Sequence, residues 1–161
     1  TLKYIINNNV IDIMSLLKCL TKKIGTKYSS PREFFGYKRK PQEFVIKEVS
    51  EEKQRVVLQF ESGTNIPLGY WRFNHVINLL VKKKGEFVRI GSKIDPEKES
   101  SIESSLYWHA IENELSAARL RTAPFVCDLL VLCGYAEYGY KEGKRGRSVQ
   151  AIKATEKLLP H

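Results

Sequence analysis

No stretch of the sequence approaches the roughly 18 consecutive apolar residues that a membrane-crossing helix needs, so none of its segments reads as a span. The opening TLKYIINNNVIDIMSLLKCL lacks the charged start and clean apolar core of a secretory signal. Cysteine is scarce and odd in number: Cys19, Cys127 and Cys133. Cys127 and Cys133 fall within an apolar helical pattern, and the expectation is buried thiols in a reducing compartment. Histidine is equally sparse. His75, His109 and His161 stand apart, and no zinc spacing occurs. His109 lies between apolar positions of a helix and reads as a packed or surface histidine. There is no Walker A loop, dinucleotide glycine fingerprint, HExxH or GxSxG. The residues therefore call for no metal and no cofactor.

Acidic residues are the other shortage. Asp and Glu total 18 against 27 Lys and Arg, for a net charge of +9, which favours a polyanionic partner. A hydrophobic content of 42% with 28% charged residues indicates a globular chain rather than a disordered one. The 161 residues suffice for one good core or two small ones. Because it begins with Thr1 rather than Met, the chain is expected to be a domain of a larger protein.

Taken in order, residues 2–20 read as a helix with Asn9 as cap and Asp12 in its first turn. Val10, Ile13, Met14, Leu17 and Leu20 would form its buried face. Residues 22–40, KKIGTKYSSPREFFGYKRK, carry seven Lys/Arg and one acid, Glu33, with aromatics interleaved. Cations neutralise phosphates and flat rings stack on bases, so the segment suits a nucleic-acid surface. Arg32, Lys38, Arg39 and Lys40 are its candidate phosphate contacts, and Tyr28, Phe35 and Tyr37 its stacking candidates. The alternative is a loop anchored by its rings with its lysines in water. The Ser-Ser-Pro start also suits a short helix beginning at Pro31. EFVIKEV (43–49) and RVVLQFE (55–61) read as a strand pair, and residues 62–68 as a loop with Gly63 and Pro67. A helix over 71–83 follows, with Lys82 to Lys84 in its last turn and Gly85 as its stop. EFVRIG (86–91) reads as a short strand, and SKIDPEKESS (92–101) as a linker between two halves.

The second half opens with a helix in IESSLYWHAIENEL (102–115). Around RTAPFVCDLLVLCG, Thr122 is placed as N-cap and Pro124 in the first turn. Phe125, Val126, Leu129, Leu130 and Cys133 fall at helical spacing, and Gly134 closes the helix. Residues 135–141 and 148–154 alternate as strands, with EGKRGR between them and Gly143 and Gly146 supplying the turn. A helix followed at once by a basic hairpin resembles the recognition helix and wing of winged-helix DNA-binding domains, over about residues 102–155. The resemblance implies that Arg119, Arg121 and Thr122 lie at the leading end of the recognition helix. It also implies that Lys144, Arg145 and Arg147, with Lys141 nearby, touch the DNA backbone or minor groove.

The sequence thus reads as an α+β chain. Residues 1–91 form a helix, hairpin, helix and strand unit containing the basic-aromatic segment 22–40; residues 92–101 link it to a winged-helix-like unit at 102–161. The expected function is sequence- or modification-specific recognition of double-stranded DNA, within a larger protein such as the specificity module of a restriction or defence enzyme. The expected setting is cytoplasmic, or nuclear in a eukaryote, with DNA and the parent's other domains as partners and no membrane. This is a binding domain more than an enzyme. Two other classes stay open: a metal-dependent nuclease using Glu43, Lys47 and Glu61, and a module that binds an acidic protein.

Overall fold

A computed structural model describes residues 3–6, 9–32, 41–91, 93–115 and 120–159. The fold is mixed α+β, with three antiparallel sheets and four α-helices among the described residues. No helix among them is long and apolar enough to cross a membrane.

The first departure from the sequence reading is at the N-terminus. Residues 2–20 do not form one helix. Lys3–Ile6 (β1) and Asn9–Asp12 (β2) pair as a hairpin, and the helix α1 runs only over Met14–Lys22. Asn9 and Asp12 belong to β2, not to a cap and first turn. The physical reason is local: Ile5, Ile6, Val10 and Ile11 are β-branched and flank a run of asparagines, which favours paired strands over helix. Ile13 and, in α1, Leu17 and Leu20 are buried, as their spacing required, and Leu16, which the spacing did not single out, is buried with them.

Lys27–Ser29 (β3), Glu43–Ser50 (β4), Arg55–Phe60 (β5) and Asn65–Gly69 (β6) form a sheet in the order β3-β4-β5-β6. The alternation of Phe44 and Ile46 with Val56, Leu58 and Phe60 buries one face. A bulge at Lys47 shifts the register between Ile46 and Glu48. Residues 62–68 are not simply a loop, because β6 includes Pro67. Proline lacks the N–H a central strand needs, and β6 accommodates it by lying at the sheet edge.

Tyr70–Lys82 (α2) follows β6 directly and buries Phe73, Val76, Ile77 and Leu80. Lys84 and Gly85, both at positive φ (53° and 84°), turn the chain out of it. The strand expected over 86–91 contracts to Val88–Arg89 (β7). Residues 93–101 are tied down. The Asp95 N–H donates to Ser104 Oγ, the Trp108 Nε1–H donates to Asp95 O, and Lys82 pairs with Glu99 at 2.5 Å. Ile102–Glu112 (α3) and Ala123–Leu132 (α4) come next, then the strands Ala136–Glu142 (β8) and Ser148–Ala154 (β9). α4 ends in a Schellman motif. Gly134 sits at φ 78°, its N–H donates to Val131 O, and that of Tyr135 donates to Leu130 O.

The last sheet has the order β7-β9-β8. The strand of the first half therefore pairs with the final strand of the second. The two halves also share one hydrophobic cluster, running from Leu16 and Phe44 through Phe73 to Leu129 and Ile152. Phe60 of β5 packs on Phe125 of α4 with ring centroids 5.2 Å apart. Cys19 of α1 and Cys133 at the end of α4 form a disulfide. That corrects the expectation of free thiols: the bond joins residues 114 apart in sequence. Only Cys127 is free among the described cysteines, and it is buried. A peptide digest without reductant should yield a cross-linked pair containing Cys19 and Cys133, with Cys127 alkylated only after unfolding. Separate recovery of both peptides would reject the bond.

Between α2 and α3, His75 hydrogen-bonds Ser105 Oγ at 2.5 Å, its ring stacks on His109 at 4.2 Å, and His109 stacks on Trp71. Burial, reinforced by His109, pushes His75 down from 6.5 to about 4. The unfolded ring takes up a proton near pH 6.5, while the folded ring refuses one until near pH 4. Its contribution to stability is therefore complete above pH 6.5 and lost as pH falls toward 4. Ring signals of His75 in NMR should stay neutral through pH 5.5, and urea midpoints should fall between pH 6.5 and pH 4. A ring that titrates near 6.5 would contradict this burial.

Candidate nucleic-acid interface

Among the described residues, the hairpin β8–β9 carries the densest group of sequence-predicted cations. Its tip is a 3-10 turn over Lys144–Gly146, closed by the Gly143 N–H donating to Arg147 O at 2.6 Å. Arg145 at φ 64° and Gly146 at φ 71° both take the left-handed conformation that brings the chain round. Glycine does so without strain, whereas Arg145 does so at some cost. Lys141, Arg145 and Arg147 are exposed; the side chain of Lys144 lies outside the described residues. Lys141 Nζ donates to Phe87 O at 3.1 Å, which holds it against the sheet. Lys153, further down β9, pairs with Glu137 at 3.1 Å and lies over the Phe87 ring. Phe87 itself fills the space beside Gly139, where a side chain would collide with it.

The head of α4 is more buried than the sequence suggested. Arg121 is exposed, but Thr122 is fully buried. Thr122 makes no side-chain cap; its hydroxyl accepts from Arg72 at 2.7 Å. The cap comes instead from Glu103 of α3, whose Oε2 accepts from the Ala123 N–H at 3.1 Å. Burial raises the Glu103 carboxyl above its usual range, and the Ala123 N–H partly offsets this. Thr122 therefore belongs to the interior rather than to a ligand surface. The body of α4 is apolar nearly all round, with Val126, Cys127, Leu129 and Leu130 buried.

Its one charged residue, Asp128, anchors a polar knot. Arg32 Nε donates to Asp128 at 3.1 Å and to Ser30 Oγ at 3.0 Å, and the Tyr138 hydroxyl donates to Asp128 at 2.5 Å. Burial pushes the Asp128 carboxyl up, opposed by the Arg32 charge and then the Tyr138 bond. Arg32 also lies over the Phe125 ring. It thus works inside the fold, joining the segment after β3 to α4 and β8. With Arg89, Gly91, Pro124, Val149 and Gln150 it lines a cavity of about 260 Å³. Sequence reading missed Arg89, although its place between buried Val88 and Ile90 marks it as pointing to the other face of β7.

Among the remaining candidates, Tyr28 is half-buried and packs on Phe44, with Lys23 over its ring, so it is occupied as a core-edge residue. Phe35, Tyr37, Lys38, Arg39, Lys40 and Arg119 lie outside the described residues, as does the helix expected to begin at Pro31 beyond its first two residues, which are not helical. Of the residues considered for nuclease chemistry, Glu43 and Glu61 are brought together and Lys47 is not. Glu43 and Glu61 hold Lys27 between them at 2.7 and 2.9 Å, while Lys47 lines a separate cavity with Glu48 and Arg55. No group of three or more His, Cys, Asp or Glu among the described residues is placed to hold a metal. Comparison with protein-family models, curated proteins and solved structures gives no match for the chain.

Replacing Asp128 by Ala strands the Arg32 guanidinium and the Tyr138 hydroxyl in a dry setting. Unfolding in urea should then show a loss of about 3 kcal/mol or more. A loss below about 1 kcal/mol would mean that the knot is solvated.

Proposed function

We propose that this chain binds double-stranded DNA through a winged-helix-like unit, as the recognition part of a larger protein. The observation that carries the reading is topological. The elements run α2, β7, α3, α4, β8, β9, and the sheet order is β7-β9-β8, with the basic turn between the last two strands. A helix, a short strand, two helices and a hairpin whose final strand pairs with the first strand is the winged-helix order. On this reading α2 and β7 belong to the unit, which then begins well before residue 102. The net charge of +9 and the exposed Arg145 and Arg147 supply the electrostatic match to phosphate.

The apolar body of α4 limits how such a unit works. A recognition helix needs an outward polar face, and α4 has its flank covered by Phe60 and Arg32. Contact therefore falls to the wing tip and the helix head near Arg121, which favours backbone and shape recognition over deep insertion in the major groove. Such a ligand sets the chain in the cytoplasm or nucleus, where the Cys19–Cys133 bond would depend on the local redox state.

In a duplex-binding assay, Arg145→Ala combined with Arg147→Ala should weaken binding about tenfold or more, alike on unrelated sequences. The slope of affinity against salt should become shallower by roughly two. Unchanged affinity and slope would remove the wing from the interface and the reading with it.

A further inference from the structure

We propose that the cavity between β7, β9 and the head of α4 is a phosphate-binding pocket formed by Arg32 and Arg89. Four observations carry it. First, the cavity of about 260 Å³ lies below the roughly 300–1,000 Å³ of drug-sized ligand sites, so it suits a small polar group. Second, two guanidinium-bearing side chains from distant parts of the chain line it, and guanidinium matches a phosphate with paired N–H donors. Third, Arg89 Nε is buried without a hydrogen-bond partner. That nitrogen has no protein acceptor and is closed to the cavity, so an anion there would be met by the outer guanidinium nitrogens, which share the same charge.

Fourth, Arg32 is already oriented. Its Nε is held by Asp128 and Ser30, and its NH2 donates to Gln42 Oε1 at 3.2 Å. A fixed guanidinium loses little further freedom when it meets a ligand. Among the described residues the opposing carboxylates are Asp128, paired with Arg32, and Glu103, which accepts from the Ala123 N–H beside the cavity and which burial pushes toward its neutral form. The Asp128 carboxylate is nearly fully buried and turned to Arg32 and Tyr138. Pro124, Ile90 and Val149 add apolar wall, which strengthens ionic attraction by keeping water out. The head of α4 contributes no donor. The Ala123 N–H goes to Glu103, Pro124 has none, and the Phe125 and Val126 N–H groups go to Thr122 O. The pocket is thus a two-arginine site, and its chemistry stands whether or not the wing binds DNA.

The phosphate could belong to a nucleic-acid backbone or to a free phosphate compound. Inorganic phosphate titrated into the isotope-labelled full chain should give saturable NMR shifts at the Gly91, Val149 and Gln150 amides. Chloride at matched ionic strength should not. Arg89→Met keeps the aliphatic stem and should weaken phosphate binding about tenfold or more, as for a lost charge-assisted bond. Arg89→Lys keeps the charge and should fall between; it also serves if the Met variant fails to fold. Arg145→Ala with Arg147→Ala should leave phosphate binding intact even if duplex binding is lost, which separates this site from the wing. A parallel loss of duplex affinity in Arg89→Met would assign the phosphate to the DNA backbone. Phosphate binding lost while duplex affinity holds would assign a free phosphate compound. Shifts that never saturate, or equal binding by the Arg89 variants, would overturn the pocket.

Discussion

A carboxylate in the middle of an otherwise apolar helix dictates much of this structure. Asp128 cannot enter the interior unpaired, because an isolated buried charge costs several kcal/mol at the least. Its partners come from two different places: Arg32 from the segment after β3 and Tyr138 from β8. Pairing that one group therefore fixes three pieces of chain against each other. Phe60 on Phe125 and the Cys19–Cys133 bond act on the same helix from other sides. α4 is in this way a hub, packed on the four-stranded sheet as well as on the hairpin that follows it.

That packing explains why charge sits where it does. Two cations of the core region are committed to internal partners: Arg72 to Thr122 and the face of Trp71, Arg32 to Asp128. Lys27 is held by Glu43 and then Glu61, which keep its ammonium protonated beyond the usual range. The exposed cations at the tip of the β8–β9 hairpin are of another kind, carried on a turn that contains two left-handed residues. Charge count in the sequence does not distinguish these groups, but their surroundings do.

Local periodicity made several elements readable. Phe44 and Ile46 against Val56, Leu58 and Phe60 declared the β4–β5 pair, and Phe73, Val76, Ile77 and Leu80 declared α2. β9 begins and ends where alternation put it, and Gly134 closes α4 as its position required. What stayed hidden depends on distance along the chain. The β7–β9 pairing, the disulfide and the Arg32–Asp128 bond join residues whose spacing carries no signal. The N-terminal hairpin was obscured for a different reason. Ile13, Met14 and Leu17 continue an apolar spacing that starts at Val10, so a strand and a helix in succession imitate one longer helix. Thr122 shows a third kind of failure: a residue ideal for capping was taken up by a buried arginine, and the cap came from Glu103 on another helix.

Pro67 has an effect beyond its own strand. β6 is the outermost member of its sheet, and an exposed strand edge is a template on which a second molecule can add its own strand. A proline there has no N–H to offer an incoming chain, so the ladder is interrupted where it would otherwise extend. The residue that made this stretch look like a loop is also what keeps that side of the sheet from recruiting neighbours, a safeguard against self-association at high concentration.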